Sequence, residues 1–424
     1  MTVSTTSRVP APTVGHSALH RLIAVPLDEF ACDYWGSRPL VSRAADLPKG
    51  FGDLFSNDAV DELVSRRGLR TPFLRVAKNG TTLADSAFTA GGGTGAGIGD
   101  QVSDDKLLRL FADGSTLVLQ GLHRSWEPVL SFTQDLAADL GHPVHVNAYV
   151  TPAQNTGFSD HYDVHDVFVL QIEGEKRWRI REPVHPNPLR NEPWTDHRAA
   201  IEEAATRPPL LAETLRPGDC LYLPRGYIHG ATALGDVSTH LTIGVHPWTR
   251  RHVAEELVAT ALAAASGDER VRASLGLGVD LADAAGWQSD VDVVREALAR
   301  ALRDVPVETL SAALAAKSRG TQRAAPIGPV STVRAAAALD GTDVLRLRPQ
   351  LQARLDGDVL RSRAGEVSLD AEEARAIRAL LGGEGTTAAD LGLALARRLL
   401  LGGVVVVDAP QSLDGAVTDK PSHP

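Results

Sequence analysis

Asn147-Ala-Tyr149-Val-Thr-Pro-Ala-Gln-Asn-Thr-Gly-Phe-Ser-Asp-His161-Tyr-Asp163-Val-His165-Asp-Val-Phe-Val-Leu-Gln-Ile-Glu-Gly-Glu-Lys176-Arg-Trp178 is the stretch on which the reading of this chain turns. Apolar runs flank a central block of Gly, Pro, Asn and Asp, the pattern of strands joined by turns. In an extended segment, residues two apart point to the same side, so His161 and Asp163 can converge on one ion from a single rigid element. The same pattern extends on both sides. Short apolar runs recur at Ser115–Gln120, Val144–Val150, Val167–Ile172, Cys220–Leu223 and Leu241–Val245. From about Leu19 to Trp248 the sequence therefore predicts an all-β barrel or sandwich core with a few flanking helices.

A third ligand is expected from a later strand. Leu215-Arg-Pro-Gly-Asp-Cys-Leu-Tyr-Leu-Pro-Arg-Gly-Tyr-Ile-His229 supplies it: Pro217-Gly-Asp is a turn, Cys220–Leu223 a buried strand, and Pro224-Arg-Gly a second turn presenting His229. His229 lies 66 residues after Asp163, so the two halves must meet through a closed β core. Alone, a His-x-Asp pair is common and seldom a ligand pair, and Pro-Gly-Asp followed by a strand and a His is a weak signal. In this order, inside one all-β region, they form the two-imidazole, one-carboxylate facial triad of non-haem iron(II) oxygenases, with three coordination positions left open. These suffice for a bidentate 2-oxo acid and O2.

Beyond Trp248 the character changes. Helical apolar spacing marks Val253–Leu262 and Val293–Leu302, and Ser318–Pro329 reads as a linker. Short β-like runs (Val344–Leu347, Asp358–Ser362), helices (Ala371–Leu381, Ala388–Leu400) and a last strand (Val404–Val407) then suggest a small winged-helix-like module. The helix Ala388–Leu400 offers only Arg397 and Arg398 to a phosphate backbone, a thin face for nucleic acid. The 424 residues carry 43 Lys and Arg against 53 Asp and Glu, a net charge of −10, which argues against general nucleic-acid binding and suits a basic polypeptide partner. With 43% hydrophobic residues the composition is globular. The longest apolar run, Leu399–Val407, is broken by Gly402 and Gly403, and no run suggests a membrane span. Two cysteines, Cys32 and Cys220, build neither a disulfide framework nor a zinc cluster, and a cytoplasmic location is expected. Met1 to Gly15 has no apolar segment of signal-peptide type and reads as a disordered tail.

On the entry segment Phe30-Ala-Cys-Asp-Tyr-Trp-Gly-Ser-Arg-Pro-Leu40, the Asn147–Trp178 block and the Gly218–Val245 block, the chain resembles the JmjC-domain ribosomal oxygenases, also described as the cupin-4 group. The resemblance implies a JmjC double-stranded β-helix at 18–249, a helical dimerisation region at 250–322 and a winged-helix-like α+β domain at 323–410, with tails at 1–17 and 411–424. It implies an Fe(II)- and 2-oxoglutarate-dependent homodimer that hydroxylates the β-carbon of an Arg or His side chain in a basic ribosomal protein. It assigns His161, Asp163 and His229 to the metal and Lys176 to the distal carboxylate of 2-oxoglutarate; from its composition alone, Lys176 reads as a solvated turn lysine. Lys176 is expected on a new strand after a Glu173-Gly174-Glu175 turn, with Arg177 facing elsewhere. Asn147 is carried over as a 2-oxoglutarate neighbour. Tyr149, Ser238 and His240 are candidates for the same pocket, although Tyr149 reads as well as a core side chain and His240 reads more readily as a supporting or core histidine. His165 departs from the pattern, which favours an apolar or aromatic residue there; a fourth protein ligand would block an open position, so it is not counted as one. Alternatives are hydroxylation of a natural-product precursor peptide, lysine demethylation, for which this aromatic-poor chain (5%) shows no methyl-ammonium cage, and a non-catalytic cupin, in which the triad would normally be broken.

Overall fold

Alternating β-branched and polar residues, cut by glycine turns, set the strands of the N-terminal half. In chain order they are β1 (Leu40–Ser42), β2 (Leu74–Lys78), β3 (Thr81–Thr82), β4 (Thr89–Ala90), β5 (Gln101–Val102) and β6 (Thr116–Leu119). There follow β7 (Val144–Thr151), β8 (Asp166–Arg181), β9 (Leu211–Leu215), β10 (Cys220–Leu223) and β11 (Ile228–Val245). The computed structural model describes residues 18–78, 80–155, 159–383 and 385–408, so the expected tails at 1–17 and 411–424 lie outside the described residues. β4 and β5 pair separately; the other nine strands form one sheet in the order β1-β10-β8-β11-β7-β6-β2-β3, with β9 added on β8, and every pairing is antiparallel.

The two longest strands give the sheet its shape. The first half of β8 lies between β10 and the end of β11, and its second half between β9 and the start of β11. The break falls at Gly174, where the register with β11 slips between Leu234 and Thr239. Gly174 has φ +64, and a Cβ there would lie 2.1 Å from the Val237 carbonyl oxygen, so only glycine fits. The buried Gln171 side chain fastens the bend by donating from Nε2 to the carbonyls of Glu173 (2.8 Å) and Gly174 (3.1 Å) and to Ser238 Oγ (2.9 Å). The expected turn with a new strand after it is thus replaced by one continuous 16-residue strand with an irregularity. Physically this is a bulge: the extra residue switches which parity of side chain faces inward. Val167 and Val169 point into the sheet's concavity before the bend, and Lys176 and Trp178 after it.

Outside the sheet, Phe168, Leu170, Val146, Ala148 and Ile243 pack against the helices Asn57–Arg66, Asp104–Ala112 and Glu127–Leu140 through Leu63, Leu107 and Leu136. Ser56 and Ser103 cap the first two by accepting from Ala59 N and Lys106 N. Inside, Val167, Val169, Trp178, Ile180, Leu221 and Tyr227 form a second apolar cluster. This compact unit ends at Trp248, and a second begins at Thr249.

The second unit holds the helices Arg250–Ala265, Gln288–Asp304, Val307–Thr321 and Pro329–Ala338, then β12 (Val344–Leu347), β13 (Arg354–Asp356), β14 (Val359–Ser362), β15 (Gly365–Ser368), β16 (Thr386–Thr387) and β17 (Val405–Val407). These strands make two three-stranded sheets, β16-β12-β17 and β13-β14-β15, around a core of Leu345, Leu360, Ile377 and Leu399. The expected single helix Ala388–Leu400 is two, Ala388–Leu391 and Leu393–Leu401, because Gly392 adopts φ +79 between them. The expected linker is also shorter, since residues 318–321 continue a helix. No helix among the described residues is long and apolar enough to cross a membrane.

Candidate functional site

His161 and His229 face each other across a two-residue bridge. His229 N donates to His161 O (2.8 Å) and His161 N to His229 O (3.1 Å). The turn Pro224–Gly226, with Gly226 at φ +89, sends Gly226 N to Asp163 O (3.0 Å). Three backbone hydrogen bonds thus close the 66-residue separation. His161 and Asp163 do not belong to a regular strand, as the two-residue period suggested; they sit on the extended segment entering β8. The local alternation nevertheless holds, with Tyr162 buried away from the site and its OH donating to Glu192 O (3.0 Å).

Ligand atoms of His161, Asp163 and His229 lie within 4.8 Å of one another. His161 Nδ1 lies 2.7 Å from Ser159 O, and His229 Nδ1 lies 3.0 Å from Tyr227 O. A ring N–H given to a carbonyl fixes the tautomer, so Nε2 is the nitrogen each imidazole can present to a metal. Burial, then the neighbouring His161, push the His229 pKa down to about 4 against the pull of Asp163. Burial raises the Asp163 pKa, but His165, His229, His161 and His145 outweigh it and hold the carboxyl below its usual range. At neutral pH the site therefore offers a neutral imidazole at His229 and an ionised carboxylate, the protonation states a divalent metal requires.

The triad lines one cavity together with Thr116, Tyr149, Lys176, Trp178, His240 and Thr242. Lys176 is 4% exposed, its Nζ donates to Thr151 Oγ1 (3.1 Å), and burial pulls its pKa down to about 7. Among the described residues no carboxylate pairs with it, a costly state that an incoming anion would relieve. Two further polar atoms of the lining, Trp178 Nε1 and His240 Nδ1, are buried without a hydrogen-bond partner. The Tyr149 and His240 rings stack at 5.1 Å, and burial raises the phenol pKa to about 12. The cavity wall thus fits a small polar anion beside a metal.

Of the other candidates, Asn147 Oδ1 accepts from Gly121 N (3.1 Å) and Ser238 Oγ accepts from Gln171. Asn147 thus holds backbone and Ser238 a side chain, and neither is among the lining residues. Arg177 is exposed on the opposite face from Lys176. Nothing in a lone Thr or Trp of the sequence marks Thr116 and Trp178 as lining the cavity, or Thr151 as the partner of Lys176. His165 does not reach the metal position; its ring packs against His145 and His246 at centroid distances of 5.0 and 5.3 Å.

A JmjC domain profile matches residues 127–253. The chain is similar to the bifunctional lysine-specific demethylase and histidyl-hydroxylase NO66 of Aedes aegypti, 28% identical over 222 residues, covering 52% of this chain and 33% of that protein. It is similar to ribosomal oxygenase 1 of Gallus gallus, 30% identical over 228 residues, covering 53% and 36%. The chain thus spans about a third of the length of these curated relatives. In fold it is similar to the crystal structure of Escherichia coli ribosomal oxygenase YcfD, with a TM-score of 0.55, 17% identity and coverage of 91% of this chain and 99% of that one. YcfD in complex with cobalt and 2-oxoglutarate matches with a TM-score of 0.54, 17% identity and coverage of 92% and 99%. Residues 127–253, which hold the His161, Asp163 and His229 cluster and most of the cavity lining, are thus similar to the JmjC domain.

Proposed function

We propose that this chain is an Fe(II)- and 2-oxoglutarate-dependent oxygenase that hydroxylates an Arg or His side chain of a protein, with a basic ribosomal protein as substrate. The observation that carries the reading is the convergence of His161, Asp163 and His229 in the lining of a cavity that also holds the buried, carboxylate-free Lys176. Iron(II) with bound 2-oxoglutarate and O2 supplies the oxidant: the co-substrate leaves as succinate and CO2 while one oxygen atom enters a substrate C–H bond.

The protein's own part is binding and placement. His161 and His229, oriented by Ser159 O and Tyr227 O, and the Asp163 carboxylate hold the metal. Lys176, steadied by Thr151, binds the far carboxylate, and the hydrogen-bonding atoms of Trp178 and His240 lie in the same wall. The apolar side chains of Val167, Val169 and Trp178 keep water from the reacting atoms. The names of the relatives and the negative charge of the chain, which favours encounter with a basic partner, support the substrate class. The names also carry lysine demethylation, which the same metal chemistry allows, so methyl-lysine peptides belong in the substrate panel. The exposed Val253, Val258 and Leu262 on one helix, with Val294 and Leu302 on another, favour a homodimer.

His161→Ala and His229→Ala should each abolish tight Fe(II) or Mn(II) binding and 2-oxoglutarate turnover. Mass spectrometry of ribosomal proteins from cells with and without the gene should show one protein lighter by a single oxygen atom in the knockout. An unchanged ribosomal protein set would remove the ribosomal substrate, and metal binding that survives both variants would remove the oxygenase.

A further inference from the structure

Three histidines that the proposed chemistry leaves unused stand together beside the metal site. His145 is on β7, His165 precedes β8, and His246 follows β11. The β7/β11 register pairs Tyr149 with His240, Asn147 with Thr242, and His145 with Gly244. Tyr149, His240 and Thr242 line the metal cavity. By the two-residue period of a strand, His145 and Gly244 lie on that same face, further out. His165 lies midway between the ligand Asp163 and the lining residue Val167. The His145 and His246 rings are 4.9 Å apart, so with the two contacts of His165 the centroids form a near-equilateral triangle.

The triangle has room made for it and a bond left unmade. A Cβ at Gly244 would fall 2.1 Å from His145 Cε1, so the imidazole lies across the bare glycine. His145 Nδ1 and His246 Nε2 share a hydrogen bond of 3.0 Å, whereas His165 Nδ1 is buried without a partner. An unsatisfied buried polar atom is unfavourable, and a ligand that supplies the missing group relieves it.

We propose that His145, His165 and His246 form the subsite that selects the target side chain, and that it takes an uncharged histidine side chain in preference to arginine or lysine. The inference rests on the oxygenase reading and narrows it. A planar imidazole stacks on imidazoles and needs one donor and one acceptor, which His165 Nδ1 and its neighbours provide. A guanidinium or ammonium taken from water needs a carboxylate or several acceptors. Here Asp163 is committed to the metal and Asp166 to Tyr222 and Arg225, and the burial, His165 and Arg190 that disfavour charge on His246 would disfavour an incoming cation.

The test uses the full chain loaded with Mn(II) and saturated with 2-oxoglutarate without O2. The probes are N-acetyl-histidine, N-acetyl-arginine and N-acetyl-lysine methylamides, read by NMR as paramagnetic relaxation of each probe. Relaxation of the histidine probe should exceed that of the others about tenfold or more. His165→Leu and His145→Phe should each remove that preference, and His165→Asn, which keeps a hydrogen-bonding group, should restore part of it. The relaxation of 2-oxoglutarate itself should stay unchanged in all three variants. Equal or stronger relaxation of the arginine probe, no relaxation of any probe, or a histidine preference that survives both variants overturns the subsite. So does uptake of a second zinc ion that His145→Phe abolishes, which would make the trio a metal site. Absence of 2-oxoglutarate relaxation in the unmodified chain would instead defeat the oxygenase reading beneath it.

Discussion

Lys176 is the side chain whose state matters most to how the pocket works. In the ligand-free protein its pKa is drawn down to about 7 by burial, while a bound dicarboxylate favours the ammonium. Binding of 2-oxoglutarate should therefore take up a proton above pH 7, and affinity should be flat below pH 7 and fall about tenfold per unit above it. Calorimetry in buffers of different ionisation enthalpy measures that uptake; a value near zero at pH 8 would contradict the assignment. The stability of the ligand-free protein has the opposite slope. Its folded-state pKa lies below the unfolded value of 10.5, so the unfolded chain holds more protons between the two, and stability rises with pH across that window. Lys176→Met should raise the 2-oxoglutarate requirement by about 2–3 kcal/mol of lost binding, or roughly 30- to 150-fold, while leaving metal binding intact. At Gly174, Ala would carry a methyl into the Val237 carbonyl from a left-handed backbone. Thermal unfolding should show a loss of about 3 kcal/mol or more, or no folded protein at all.

Among the elements, β8 shows what was legible in the sequence and what was not. The apolar run Val167–Ile172, the turns Pro217–Asp219 and Pro224–Gly226, and the candidate ligands His161, Asp163 and His229 are local features, legible from alternation and turn chemistry even though His161 and Asp163 precede the regular strand. The irregularity at Gly174 is not local. A glycine between two glutamates looks the same in a turn and in a bulge, and only pairing with residues 234–239, some 60 positions later, decides between them. Without that slip Lys176, an odd number of residues after His161, would face away from the metal. Gly392 likewise breaks a helix that its apolar spacing alone would continue. The trio of His145, His165 and His246 was equally invisible, because it forms only when β7 and β11 pair. Gln171 is the side chain that fastens the bend. Gln171→Leu should weaken 2-oxoglutarate binding about tenfold while metal affinity, set on the other side of the irregularity, changes little. Parallel titrations of the two ligands would check this, and equal losses in both would mean general unfolding rather than misplacement.

In the whole molecule, every residue of the candidate site belongs to the unit that ends at Trp248, and that unit has its own apolar core, as does the one that follows. Residues 18–248 produced alone should bind Mn(II) and 2-oxoglutarate within about threefold of the full chain. Failure to bind either, in a fragment that still unfolds cooperatively, would show that the second unit completes the site. The homodimer reading belongs to this scale as well: Val258→Glu with Leu262→Glu should yield a monomer by light scattering, with metal binding retained. The division at Trp248 also bears on descent. A half whose candidate metal ligands, cavity and core all lie on one side of a single boundary can be inherited as a block, and recombination there would give it a different C-terminal companion without disturbing the site. Lineages carrying this half are therefore expected to diverge fastest in what lies beyond that boundary, and to differ in the proteins they are brought to before they differ in the reaction.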